Sequence, residues 1–391
     1  MSRRIYMDHS ATTPVRCEVL EAMKPYFDRV FGNASSVHSF GQEAHLALDD
    51  ARGKIAMLIG AKPEEIIFTS GGTESDNLAI VGVANAYRQK KGAHIIICAI
   101  EHHAVLKTCR ALEKQGFELT VVGVDGHGLV DPQELRDAIR PDTTLVSIML
   151  ANNEVGVIEP VAELAAVTHQ AGALFHTDAV QAVGKIPVNV EDLGVDLLTI
   201  SGHKFYGPKG VGALYRRTKT RLTPLMEGGH HENHLRPGTE NVPGIVGMAV
   251  ALEMACAEMP MESRRLARLR DRLQSGLQQR IEDVLVNGHP TQRLPHLVNI
   301  SVISAEGESL VMDLDGHGIA AATGSACTSD LLEPSHVLMA MGIPPEVAHG
   351  SLRFSLGRMN TEQDVDHVLE VLPGVVERLR EMSPTYNKAH G

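Results

Sequence analysis

Cysteine is scarce, with five among 391 residues. That is too few for a disulfide framework in a chain of this length, and the odd count leaves at least one thiol unpaired, so a reducing compartment is expected. Positive charge is short as well. Lys and Arg number 36 against 48 Asp and Glu, a formal charge of −12, so the chain gains nothing from phosphate electrostatics and nucleic acid is not an expected partner. Long apolar runs are missing too: the stretch around Ile95 to Ile100 falls far short of the roughly 18–20 residues of a membrane span. The first residues reach Asp8 before the apolar core of a signal peptide could form. A soluble, cytoplasmic protein is the expectation. Internal repeats, low-complexity tracts and charge blocks are also lacking. What is present is an ordinary globular mixture, 43% hydrophobic and 21% charged with 36 Gly and 19 Pro, which excludes wholesale disorder and fibrous architecture. At roughly 150 residues per domain, the length suggests two or three domains with a substantial core.

Short apolar runs recur through the first two-thirds of the chain: Ile66 to Thr69, His94 to Ile100, Leu119 to Val124, Leu145 to Leu150, Ala173 to His176 and Leu197 to Ile200. Most lack polar alternation, as strands covered on both faces do. Helical patterns separate several of them, among them Val161 to Gln170 closed by Gly172. This alternation predicts an α/β fold with a mostly parallel sheet between helices. Near Pro243 a long helical pattern begins and runs to about Arg280; its arginines from Arg264 to Arg272 read as a solvated face. Strand-like segments such as Leu297 to Val302 follow, then a last helix from about Thr361 to Met382. The expected division is a large α/β domain over 15–255 and a small α+β domain over 256–391, joined by the N-terminal segment 1–14.

Four segments carry chemistry. In Phe68-Thr69-Ser70-Gly71-Gly72-Thr73-Glu74-Ser75-Asp76 a strand ends, two glycines turn the chain and Thr73 can cap a helix, with Asp76 completing a weak capping box. Free N–H groups at such a helix start favour an anion, typically phosphate; taken alone, the segment is equally a plain capped turn. Asp178 in His176-Thr177-Asp178 sits at a strand end, where ligands bind in open α/β sheets, and could hold a cationic ring nitrogen or merely cap a helix. Lys204, in Ser201-Gly202-His203-Lys204, lies between a strand and a Gly/Pro turn, where desolvation could make it a Schiff-base amine; Lys209 competes but lies beyond Pro208 in wetter surroundings. Together, an anion cradle, a carboxylate and an amine at strand ends are what pyridoxal 5′-phosphate needs. The fourth segment, Thr323-Gly324-Ser325-Ala326-Cys327-Thr328, sets Cys327 among small polar residues, unlike Cys98 in its apolar run; Cys17, Cys109 and Cys256 read as packing residues. A thiol in such surroundings is a candidate nucleophile.

These segments stand in order with Asp8-His9-Ser10-Ala11-Thr12-Thr13, Gly32-Asn33-Ala34-Ser35-Ser36, Glu101-His102, Asn152-Asn153-Glu154, Arg236-Pro237-Gly238-Thr239 and Leu352-Arg353-Phe354-Ser355. Over roughly residues 4–385 the chain resembles a cysteine desulfurase of the NifS/IscS type, a fold-type I pyridoxal-phosphate enzyme. The resemblance implies that Lys204 holds the cofactor and moves the substrate's α-proton, Asp178 pairs with the pyridine nitrogen, Gln181 hydrogen-bonds the ring oxygen and His102 stacks on the ring. It implies phosphate contacts from Gly72, Thr73, Ser201 and His203, with Thr239 reaching in from the other subunit of a homodimer. Asn153 and Arg353 would grip L-cysteine, and Cys327 would take its sulfur as a persulfide, leaving alanine. An iron–sulfur scaffold or other sulfur acceptor is the implied partner, with Cys327 touching an iron–sulfur cluster when bound to a scaffold. A selenocysteine lyase or another enzyme of the same fold is the alternative. One departure is His230-His231-Glu232-Asn233-His234, where Asn233 replaces a basic residue of the family pattern. His230 and His234 have the i, i+4 spacing of a metal pair, but flanking glycines argue for a loop and no metal is expected.

Overall fold

The computed structural model describes residues 4–324 and 334–382. Seven strands form the central sheet in the order Ile66–Thr69, Gly212–Arg216, Leu197–Ser201, Leu174–Asp178, Thr143–Ser147, His94–Cys98 and Glu118–Val122. Gly212–Arg216 runs antiparallel to both neighbours, and the remaining pairs are parallel. Side chains alternate between the two faces along each strand. Ile96 and Cys98 enter a core built with the helices Ser39–Ile59 and Val161–Gln170, whereas Ile95 and Ile97 enter a second core under Gly72–Tyr87 and His103–Glu113. Burial on both faces explains why these runs are continuously apolar. The edge strand Glu118–Val122 is half open and correspondingly mixed.

A third hydrophobic core lies on the antiparallel sheet Ser351–Ser355, Leu297–Val302 and Val284–Asn287, covered by the helices Gly307–Gly316 and Glu362–Met382. Ile5–Tyr6 pairs with Ile319–Ala320, and Ile5 and Met7 are buried in this same core. One helix, Val242–Arg280, serves two of these cores, with Val242 to Leu252 in the first and Leu266 to Leu277 in the third. The expected division near residue 255 therefore falls inside a continuous helix.

Three expectations need correction. The helix Val242–Arg280 is long and apolar enough by length and composition to cross a membrane, contrary to the reading that no stretch is; Ile245, Met248, Ala249 and Leu252 are buried in the protein core. Its arginines are not simply solvated: Arg270 is buried and donates to the Leu294 carbonyl, and Arg265 donates to the carbonyls of Gly357 and Asn360. Cys17 is exposed rather than packed.

The segment around Glu232 ties down the sheet's edge. Positive φ at Glu232, Asn233 and His234 (47°, 55° and 65°) makes a tight left-handed turn. This drives the Glu232 carboxylate inward, where it accepts from both Arg52 guanidinium nitrogens (2.8 and 2.7 Å) and from the Phe68 N–H (2.9 Å). Arg52 also lies over the Phe68 ring at 4.5 Å. Glu232→Ala strands a half-buried cation and a buried N–H. It is expected to cost about 3 kcal/mol, read as a lower urea midpoint at unchanged slope.

Candidate active site

The parallel strands end along one edge of the sheet, where loops diverge and leave a cavity of about 370 Å³. Its wall is formed by Gly72, Thr73, His102, Asn153, Asp178, Gln181, Ser201, His203, Lys204 and Arg353, so ten of the residues singled out in the sequence meet here. Thr239 does not; it is exposed and outside this wall. Cys327 lies outside the described residues, and Gly324, also in the wall, is the last described residue before it.

One end of the cavity is formed by an uncapped helix start. The helix Gly72–Tyr87 starts directly after the Ile66–Thr69 strand, with Gly71 at its N-cap and no side-chain cap. The N–H groups of its first turn are thus left without intrahelical acceptors. A Cβ on Gly72 would approach Val180 Cγ2 to 2.9 Å, so glycine is needed to bring this backbone against Ser201. The sequence reading of Thr73 as the cap is corrected: Thr73 belongs to the first turn and faces the cavity. Asp76 caps nothing; it is buried in the cavity wall, 3.7 Å from His176 Nε2. Burial and the nearby Asp178 hold the Asp76 carboxyl well above the usual range.

The middle of the cavity holds the amine and the acid. Lys204, in the one-turn helix Gly202–Lys204, donates from Nζ to the Ser10 and Ala11 carbonyls, both at 2.7 Å. Lys209, its rival in sequence, is exposed and borders an adjoining cleft that shares Gly72, Thr73, Ser201 and His203 with this cavity. Asp178 closes its strand with Oδ1 accepting from the Val180 N–H at 2.8 Å; burial pushes its carboxyl up to about 6, against the pull of Lys204. His102 caps the helix His103–Glu113, its Nδ1 accepting from the Ala104 N–H at 3.1 Å. That bond leaves the proton of a neutral ring on Nε2, and burial with the Lys204 charge lowers the imidazole to about 4. His203 is likewise lowered to about 4 by burial and the neighbouring lysines. Both imidazoles are therefore neutral near pH 7.

At the far end, Arg353 is 3% exposed, donating to the Asn153 carbonyl (2.9 Å) and to Asp8 Oδ1 (2.7 Å), while its Nε has no partner among the described residues. Glu154 accepts from Ser335 Oγ, and burial pushes it up to about 7. His336 reaches the Glu101 carbonyl through Nε2 at 2.9 Å and lies tilted against His103 with ring centroids 4.9 Å apart. The sequence reading missed Asp8, Asp76, Glu154, His103 and His336 as site residues. Asp8 and Glu154 stood inside quoted motifs, but their partners are supplied by folding. At His230–His234 the two Nδ1 atoms lie 2.9 Å apart in a surface turn, and Glu232 is consumed by Arg52. Among the described residues no group of three or more metal-ligating side chains is found.

Asp178→Asn separates site chemistry from folding. Burial disfavours the ionised carboxylate, so a neutral isostere is expected to leave thermal unfolding of the cofactor-free chain unchanged or slightly raised. Turnover should fall by roughly two orders of magnitude or more, since each pKa unit lost by a partner ring nitrogen is about 1.4 kcal/mol. Near-native turnover would remove Asp178 from the chemistry.

Comparison with known proteins bears on this arrangement. The family model for aminotransferase class-V matches residues 5–368. The chain is 56% identical over 384 residues to a cysteine desulfurase IscS of Dictyoglomus turgidum, covering 98% of this chain and 97% of that one. A solved NifS-like protein superposes with a TM-score of 0.90 at 40% identity, covering 96% of this chain and all of that one. A protein described as SspA in complex with cysteine superposes with a TM-score of 0.80 at 37% identity, covering 90% and 98%. The chain belongs to the class-V aminotransferase family and, within it, to the cysteine desulfurases of the IscS type.

Proposed function

We propose that this chain binds pyridoxal 5′-phosphate in the cavity and removes sulfur from L-cysteine, giving L-alanine and a persulfide on Cys327. The observation that carries the reading is the convergence of Lys204, Asp178, His102 and the uncapped helix start at Gly72 on one cavity. The residues fit the cofactor. The Gly72 backbone is open where a Cβ would collide. The Asp178 carboxyl, held up by burial, gains from a cationic ring nitrogen. The neutral His102 ring can lie against an aromatic face without bringing charge. When bound, pyridoxal 5′-phosphate supplies an electron sink that acidifies the α-carbon of an attached amino acid.

The chain's own residues divide the remaining work. The first-turn N–H groups with Thr73, Ser201 and His203 hold the phosphate, and Thr239 contributes from the partner in a homodimer. Lys204 holds the cofactor through its amine and then carries the α-proton at Nζ, with the Ser10 and Ala11 carbonyls orienting that nitrogen. Gln181 binds the ring oxygen. Arg353 and Asn153 orient the substrate, the carboxylate meeting the guanidinium beside Asp8. The Cys327 thiolate attacks the substrate sulfur; the carbon–sulfur bond breaks, a sulfur–sulfur bond forms, and alanine leaves after protonation. Delivery of the persulfide sulfur to iron–sulfur assembly or another thio-cofactor pathway completes the reading. The test is product analysis with L-cysteine and pyridoxal 5′-phosphate. Alanine formed with one equivalent of protein-bound sulfur supports the reading; a keto acid, or no alanine, overturns it.

A further inference from the structure

Gln181 is 4% exposed, and both ends of its side chain are engaged. Its Nε2 donates to the Ser10 carbonyl at 2.9 Å. A carbonyl only accepts, so this contact fixes which end of the amide carries the hydrogens. The opposite end, Oε1, accepts from Lys185 Nζ at 2.9 Å. With these two bonds made, one amide N–H remains, on a residue that forms part of the site cavity. Lys185 stands behind the site. It follows Gly184, whose φ of 76° turns the chain there, and its own carbonyl accepts from Ser263 Oγ at 2.8 Å on the helix Val242–Arg280. Lys185 borders a second cavity of about 50 Å³ that Lys204 also borders, and it is absent from the lining of the site cavity.

We infer that Lys185 is a positioning residue, holding the Gln181 amide oxygen so that the remaining amide N–H is presented to the ring oxygen of the cofactor. This rests on the reading of the cavity as the pyridoxal 5′-phosphate site. Without Lys185 the buried amide oxygen loses its donor, which is costly, and the amide gains by rotating away from the ring. The charged and titratable groups acting on Lys185 are Lys204, Arg353, His9 and His296, and Arg16, Tyr206, Glu258, Glu262 and Arg358 line the same second cavity. Burial and the Lys204 and Arg353 charges hold the Lys185 amine down to about 7. It keeps N–H donors whether charged or neutral, so its hold on Gln181 spans the working pH range.

The test is a double-mutant cycle on the reconstituted holoenzyme without substrate. Wild type, Lys185→Met, Gln181→Met and the double variant are titrated with pH while the visible absorbance of bound pyridoxal 5′-phosphate is followed. A donor to the ring oxygen favours its ionised form, so losing the donor moves the transition upward, by about one pH unit in either single variant. The double variant should move no further than a single one, because the two residues act through one hydrogen bond. Lys185→Arg, which keeps a donor, should return most of the shift. Should Lys185→Met fail to fold, Lys185→Leu gives the same contrast. An additive double shift would mean that Lys185 acts by charge rather than through Gln181 and overturns the assignment, as does an unshifted Lys185→Met. A wild-type chain that takes up no pyridoxal 5′-phosphate overturns both this assignment and the site reading beneath it.

Discussion

Cys327→Ser is expected to take up cofactor like the wild type and to bind L-cysteine, yet to release almost no alanine. Neither uptake nor substrate binding should use the thiol, because the groups proposed to hold the cofactor are those of the described cavity wall. Sulfur release does use it: sulfur must pass to an acceptor, and a hydroxyl is scarcely ionised near pH 7, whereas a thiol of pKa about 8.5 is partly thiolate. The loss should be on the order of 10⁴-fold or more, the scale for removing a catalytic nucleophile. The other four cysteines cannot substitute. Cys98 and Cys109 are buried, with thiols pushed far up by desolvation, and Cys256 is half-buried and also raised. Cys17 is exposed but forms no part of the cavity wall. Cys17→Ser is therefore the control, expected to leave alanine formation unchanged.

Lys204→Ala should be equally severe at an earlier stage. The variant loses the amine proposed to hold the cofactor and to carry the α-proton; general acid–base participation alone contributes about 10²–10⁴-fold. Preparations should be pale where the wild type is yellow, and alanine formation should be lost. Lys209→Ala should keep both colour and turnover, because Lys209 is exposed and outside the cavity wall. Reversed results for the two lysines would mean that the wrong amine has been assigned. Folding should survive Lys204→Ala, since the Ser10 carbonyl keeps its bond from Gln181 Nε2 and both Ser10 and Ala11 line a cavity that water can enter.

Much of this architecture is legible in the sequence because burial on both faces of a parallel sheet writes itself as short uninterrupted apolar runs. His94–Cys98 and Leu197–Ser201 are of this kind, and every residue in them is buried. Gly212–Arg216 escaped the reading: it lies just beyond the Gly/Pro turn after Lys204 and enters the sheet antiparallel, by a connection the strand–helix alternation does not announce. Asp178, Lys204 and the Gly72 helix start were legible because each sits at a strand end, where chemistry and local sequence coincide. Contacts closed by distant segments were not. Arg353 meets Asp8 across 345 positions and Glu232 meets Arg52 across 180, and no local pattern encodes either pair. Asp76 shows how a local rule fails. Its spacing from Thr73 suits a capping box, but the cap is Gly71, two residues earlier, and the carboxyl is drawn into the cavity wall.

The measurement that bears most directly on the central claim is the location and amount of sulfur gained on a single exposure to L-cysteine. Wild-type holoenzyme is treated with substrate, quenched with a thiol-blocking reagent and digested, each cysteine-bearing peptide is weighed, and alanine is counted in the same sample. The expected result is one additional sulfur atom on the peptide containing Cys327, in step with one alanine per chain, and none on the peptides of Cys17, Cys98, Cys109 or Cys256. Sulfur found on another of these cysteines, or alanine accumulating while the Cys327 peptide keeps its original mass in a chain lacking any added acceptor, would contradict the account.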